Sequence, residues 1–483
     1  MTTVSSRRPP RLTTLLAVAA TGAYLLIVLG ATTALADAAA ACPTWPACST
    51  DALADPRLAV AWGHRLVAAA VGALVVLVTI VAWRAGTSRR VRTALALALV
   101  LYPVQVGLGA LAATDPGSTV STAHLLCGMG IFAALVGALA WQLEAETAGV
   151  GDAASVGEHG DADADGPIPA TSVASDPPAA PAAARPSAEP TRGPLARVRA
   201  VAGVYARLTK PRLMWLLCLV AAAGMALAAG PALDARTVVA TLSGGVLAIG
   251  ASGTFNHVLE RDADRRMART ADRPLATHEV PVPNAVAFGV LLGTASLAAF
   301  LTINVLAAAL GLAAILFYSV VYTLLLKPHT VQNTVLGGAA GALPALIGWV
   351  AVTGRVGVPG LALAGVIFLW TPAHFYNLAL AHKADYERGG FPMLPVVRGE
   401  AVTRKHVLWY LGATLLAASA LAALTDLGWP YAAATVTLGA VFLWAVVRLH
   451  HERTEAAAFR AFHASNAYLG TVLVAVVVDA LLL

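Results

Sequence analysis

The stretch Asn256 to Arg273, NHVLERDADRRMARTADR, gathers amide, acid and base in one short segment. Asn256, Glu260 and Asp264 recur every four residues, so on a helix they line one face and can present oxygen ligands to a hard cation such as Mg2+. Asp262 points elsewhere on such a helix, and Arg261, Arg265, Arg266 and Arg269 offer planar donor forks suited to phosphate oxygens. Carboxylates beside guanidinium groups suit a metal-bound anion. Glu260 and Asp264 are the candidate catalytic metal ligands, with Asn256, Arg261, Asp262, Arg265 and Arg269 as candidate contacts to the anion. A second group lies far along the chain between Trp370 and Gly399, where His374, Lys383, Asp385 and Glu387 fall. Two acidic clusters meeting at one face can hold Mg2+ and a diphosphate between them, because magnesium prefers a few carboxylates together with water and phosphate oxygens. Asp385 is thus the third candidate metal ligand. Lys210, Arg212, Lys327 and Lys383 are candidate diphosphate contacts.

The residues before Asn256, from Val238 to Phe255, are apolar, glycine or small-polar. A run of that kind spans a bilayer and leaves the carboxylates where hydrocarbon gives way to water. The whole chain follows the same pattern: 483 residues, 58% hydrophobic and 12% charged, with a mean hydropathy of +0.73. This composition excludes a large water-soluble core and predicts an all-α polytopic membrane protein embedded in lipid. The net charge of +6 comes from arginines in short loops beside apolar runs, which is an orientation signal and not a nucleic-acid interface.

Thirteen apolar stretches are close to the ~20 residues a spanning helix needs. Arg84 to Arg92, Arg197 to Arg212, the Asn256 segment, Lys327, Lys383 to Lys405 and Arg448 to Arg453 all fall on one side, while the opposite loops hold little beyond Arg57, Arg236 and Arg355. The positive-inside rule then puts the amino terminus in the cytoplasm, the carboxyl terminus outside the cell membrane, and both acidic clusters at the cytoplasmic face. The first stretch, from Leu15 to Leu35, exceeds the roughly 7–15 apolar residues of a signal peptide and is expected to be a retained helix. Between Leu143 and Arg192 the apolar pattern gives way to Gly, Asp, Ala, Pro and Ser, a composition expected to form a flexible linker. The expected organisation is a four-helix module over 1–142, a linker over 143–200 and a nine-helix module over 201–483.

The segment N-x-x-x-E-R-D-x-D-x-x-M-x-R-T-x-x-R-P-L resembles the first aspartate-rich motif of the intramembrane prenyltransferases, in the form carried by heme O synthases. Glu260 stands where that family more often has Asp. W-T-P-x-H-F followed by D-Y-x-x-x-G-x-P-M-L-P-V, starting at Trp370, is similar to the second signature of the same family, with Ala384 where an acidic residue is frequent. The resemblance runs from Tyr205 to the carboxyl terminus. It implies a nine-helix bundle around a cavity open toward lipid, a Mg2+-dependent transfer of farnesyl from farnesyl diphosphate to a vinyl group of heme B, and His374 as a heme contact. A quinone or chlorophyll-type acceptor, or a membrane heme-binding or transport protein without catalysis, are the alternatives.

In the amino-terminal module, two histidines at similar depth on nonadjacent helices, His64 and His124, can ligate one heme iron from both faces. Cys42 and Cys48 lie in the loop on the same side, where an oxidising compartment permits a disulfide. C-P-x-W-P-x-C, G-H-R, Q-x-x-L-G-A and T-A-H resemble the amino-terminal half of heme A synthases. That family usually carries an acidic residue three positions before the first histidine, where this chain has Ala61. The resemblance therefore extends to heme binding or delivery and not to heme oxidation, which it leaves to a separate heme A synthase as partner.

Overall fold

A computed structural model describes residues 11–31, 42, 44–46, 56–114, 118–148 and 193–482, and among them the chain is helical without a strand. Thirteen of its helices are long and apolar enough to cross a membrane, and each overlaps one of the expected apolar stretches. Four come first: α1 (Arg11–Ala31), α2 (Pro56–Arg84), α3 (Arg89–Thr114) and α4 (Ser118–Ala148). After α5 (Pro194–Leu208) come α6 (Pro211–Ala229), α7 (Ala235–Asp264), α8 (Val282–Leu301) and α9 (Val305–Leu316). The last of these continues as a π-helix, Phe317–Leu326, into the turn Lys327–His329. Then follow α10 (Asn333–Thr353), α11 (Val358–Ala381), the short α12 (Lys383–Gly389) and α13 (Leu394–Val397), and finally α14 (Glu400–Ala423), α15 (Trp429–Glu452) and α16 (Glu455–Leu482).

Small residues govern the packing, as expected where lipid removes any hydrophobic drive between helices. A Cβ on Gly224 of α6 would lie 2.4 Å from the Ala345 carbonyl oxygen, and one on Gly348 of α10 would lie 2.1 Å from that of Ala221. Only glycine lets these two backbones touch. Helix α6 also packs on α16, α7 packs along α8, and α11 packs against α10, α14 and α16. Helices α1 and α4 pack on α14 and α15, so the first four helices share one apolar core with the rest. Polar contacts tie the same seam: Thr13 donates to Glu146 at 2.7 Å, His451 Nε2 lies 3.3 Å from Glu146, and Arg453 donates to the Thr147 carbonyl at 2.9 Å.

The expected linker over 143–200 is helical at both ends. Residues 143–148 complete α4, with Leu143 and Thr147 buried, because the Glu144 and Glu146 charges that interrupt the apolar pattern are satisfied by Lys405 and His451. Residues 194–200 open α5, whose Leu195, Val198 and Val201 recur at helical spacing on its exposed surface. Residues 149–192 lie outside the described residues. Helix α16 begins at Glu455 and carries Arg460 and His463 near its start, which lower the local hydropathy without ending the helix.

Candidate functional site

Helix α7 owes its length to its start: the Asp234 side chain accepts from the Thr237 amide at 2.9 Å and caps the first turn. It runs past Asn256 to Asp264, which puts Asn256, Glu260 and Asp264 on one buried face, 2%, 5% and 1% exposed. Every one of these groups has a basic partner. Lys210 donates to Asn256 Oδ1, Lys327 Nζ stands 2.6 Å from Glu260, and Arg273 Nη1 donates to both Asp264 oxygens at 2.8 and 2.9 Å.

The loop after α7 carries the second cluster onto the first. The backbone amides of Ala268 and Arg269 donate to Asp385 of α12 at 3.2 and 3.3 Å, Arg388 pairs with the same carboxylate, and Arg266 donates to the Gly389 carbonyl at 3.2 Å. Burial alone would raise the Asp385 pKa, but Arg388 and the two amides hold it below the usual carboxylate range. Phe391, from the loop after α12, lies under Lys327, whose Nζ is 4.3 Å from the ring centre, and the Arg269 guanidinium is 5.9 Å from the Tyr386 ring. The two acidic clusters therefore meet at one end of the bundle.

Lys210 joins this polar end to an apolar interior. It adopts a left-handed backbone, φ 54°, immediately before α6, a conformation that disfavours any side chain and that aims its ammonium at Asn256 and, at 3.3 Å, at Tyr318. Burial pushes its pKa down to about 8. Asn256 in turn donates to Thr323 at 3.2 Å, and both Tyr318 and Thr323 sit on the π-helix, a geometry that frequently marks functional sites. From Lys210 and Tyr318 a cavity of about 100 Å³ extends between α6, α7, α9 and α10 past Ser252 and Gly245 to Phe300, lined almost wholly by apolar side chains.

The donor set fits magnesium in kind: three carboxylates offer hard oxygen at one rim. Among the described residues no three acidic, histidine or cysteine groups are gathered as a ready metal cage. Glu260, Asp264 and Asp385 instead each rest on a cation. Magnesium can bind through one or two carboxylates with phosphate oxygens completing its shell, so the rim suits an ion that arrives with a diphosphate.

Several expected contacts stand elsewhere. Arg212 and Glu387 are exposed. Arg261 donates to the Val258 carbonyl at 2.8 Å, and Asp262 pairs with Arg265 at 2.9 Å on the exposed side of α7. Lys383 turns to Glu400 at 3.4 Å. His374 is buried in the α11–α16 packing, stacked between Trp370 and Phe462 with Nδ1 2.7 Å from Ser465 Oγ, and does not line the cavity. Arg273, Arg388, Tyr318 and the Ala268 and Arg269 amides join the site without having been expected.

In the first four helices, His124 Nδ1 lies 3.1 Å from the Gln105 carbonyl, which can only accept, so that nitrogen carries the proton and Nε2 accepts from the Gln105 side-chain amide at 3.3 Å. His64 Nδ1 is buried without a hydrogen-bond partner, and the two rings lie within electrostatic reach of each other. Cys42 is disulfide-bonded, while Cys48 lies outside the described residues.

A sequence profile of the UbiA prenyltransferase family matches residues 216–469, which contain both acidic clusters and most of the cavity lining. The chain belongs to the UbiA prenyltransferase family. A protoheme IX farnesyltransferase of Haloarcula marismortui is 62% identical over 472 residues, covering 98% of each chain. One from Saccharopolyspora erythraea is 44% identical over 305 residues, which are 96% of its own length and 62% of this chain. Among solved structures, a digeranylgeranylglyceryl phosphate synthase study gives a TM-score of 0.50 at 17% identity, over 58% of this chain and 99% of that one. That likeness shows a shared fold, and α1–α4 lie outside the profile match.

Proposed function

We propose that this UbiA-family protein transfers the farnesyl group of farnesyl diphosphate to a vinyl group of heme B, giving heme O, with Mg2+ as cofactor. The observation that carries the reading is that the loop after α7 brings Asp385 to the helix end that carries Glu260 and Asp264, and that Lys210 joins this end to an apolar cavity. The relatives at high identity are protoheme IX farnesyltransferases, which favours heme over a quinone or chlorophyll-type acceptor and favours an enzyme over a transporter.

In this reading the C1–O bond of farnesyl diphosphate breaks, the diphosphate leaves with the electron pair, and the vinyl π electrons of heme B attack C1. Water adds to the carbocation left beside the porphyrin ring and loses a proton, leaving a hydroxyethylfarnesyl group. Glu260, Asp264 and Asp385 would hold Mg2+, which would supply positive charge to stabilise the departing diphosphate. Lys210, Lys327 and Arg273 stand at the same end and can turn from carboxylate to phosphate oxygens, while Asn256 holds Lys210 at the mouth. Apolar walls keep water from the allylic cation until the new bond has formed.

The same reading places the acidic end in the cytoplasm and the protein in the cell membrane, supported by the one-sided distribution of basic loops. For α1–α4 we propose a heme-binding module using His64 and His124. Its support is the His124 tautomer: a ring that donates Nδ1–H to the Gln105 carbonyl keeps an Nε2 lone pair, which iron would take over from the Gln105 side-chain amide that now lies 3.3 Å from it. A separate heme A synthase would then consume the product.

The test gives purified protein heme B, farnesyl diphosphate and Mg2+ and examines extracted heme by mass spectrometry. Heme of unchanged mass rules out the activity. Full product from Glu260→Gln and Asp264→Asn rules out the site.

A further inference from the structure

We infer that Phe300 is the floor of the prenyl cavity and sets the length of isoprenoid that the protein accepts, an inference that rests on the prenyl-transfer reading above. The Phe300 ring is fully buried and clamped: a Cβ on Gly244 of α7 would lie 2.9 Å from it, and one on Gly311 of α9 would lie 2.6 Å from it. Two glycines facing one ring leave it no room to swing aside, and Ser296, one turn earlier on α8, ties the same helix to α7 by donating to the Gly244 carbonyl at 2.7 Å. The floor is thus braced from three helices.

The mouth of the cavity is fixed by Asn256, which holds Lys210, and the floor by Gly244, which holds Phe300. These two α7 residues are twelve positions apart, about 18 Å along a helix that rises 1.5 Å per residue. A chain whose diphosphate is anchored at the mouth must therefore end before Phe300 or bend. Each further isoprene unit adds five carbons, and a rigid aromatic floor rejects them by overpacking. Gly245, next to the clamp, faces open space in the cavity wall: a Cβ there meets nothing within 4 Å. A larger side chain at this position shortens the cavity without a clash in the protein.

The experiment measures, in detergent with Mg2+, how strongly geranyl, farnesyl and geranylgeranyl diphosphate protect the full-length protein against thermal denaturation, and in parallel which donor is incorporated into heme B. Phe300→Ala is expected to move the preference toward geranylgeranyl diphosphate, and Gly245→Leu toward geranyl diphosphate, each by about tenfold or more, since even one methylene in an apolar pocket is worth about that much. If Phe300→Ala fails to fold, Gly245→Leu alone decides. Unchanged donor preference in the folded variants overturns the inference. Shifted protection with no prenylated heme from any form leaves the floor assignment standing and overturns the heme acceptor instead.

Discussion

Replacing Arg273 by Met tests whether the acidic end is held by paired charge. Asp264 is 1% exposed and Arg273 21%, with one guanidinium nitrogen donating to both carboxylate oxygens at 2.8 and 2.9 Å. Removing one partner of a buried pair strands the other, at about 3–5 kcal/mol. Because Arg273 keeps some contact with solvent, the lower bound, about 3 kcal/mol, is the expected loss, a roughly hundredfold shift in the folding equilibrium. Thermal denaturation followed by intrinsic fluorescence should show a midpoint lower by about 3 °C, the loss divided by the unfolding entropy of a chain this long. The double variant Asp264→Asn with Arg273→Met leaves neither charge stranded and should recover about half of that loss. Farnesyl transfer should remain absent from the double variant, because it has no carboxylate at this position. A single variant that melts with the wild type, or a double variant whose loss is the sum of the two single losses, would refute the reasoning.

Lys210 carries its charge below a pKa of about 8 and is neutral above it. The KM for farnesyl diphosphate should therefore rise as pH passes through about 8, and Lys210→Arg, which stays protonated, should remove that rise; identical pH profiles would assign the dependence to another group. His64→Ala and His124→Ala should each abolish a bis-imidazole heme absorption spectrum of the purified protein while leaving prenyl transfer to added heme in place, and a spectrum that survives both would exclude these ligands.

The sequence alone revealed much of this molecule because lipid imposes simple rules. Every spanning helix must be apolar for most of its length, so the thirteen described helices long and apolar enough to cross a membrane overlap the thirteen apolar stretches. The four-residue repeat of Asn256, Glu260 and Asp264 correctly implied one shared face, since a helical period fixes which residues share a side; that this face is buried came from the structure. What the repeat could not supply were the partners. Arg273 reaches Asp264 only because the loop after α7 folds back, with Thr270 Oγ1 donating to the Asp264 carbonyl at 3.1 Å. The Ala268 and Arg269 amides contribute backbone and not side chain, so no residue type announces them. Tyr318 was hidden for another reason: within a uniformly apolar stretch nothing marks the change to π geometry that turns its hydroxyl toward Lys210.

The linker reading failed at its ends for a related reason. Composition counts the Glu144 and Glu146 carboxylates as polar and ends the helix before them, whereas Lys405, His451 and Thr13 come to them from other helices. Those contacts change how the two parts of the chain relate. Helices α1 and α4 meet α14 and α15 through a continuous apolar core, and a Cβ on Gly412 of α14 would lie 2.9 Å from Val136 of α4, so the helices touch with almost no space between them. Packing this close, with the polar seam at its end, holds α1 and α4 against α14 and α15. They dock on α14 and α15, whereas the cavity lies between α6, α7, α9 and α10. The amino-terminal helices therefore leave the cavity's own walls untouched.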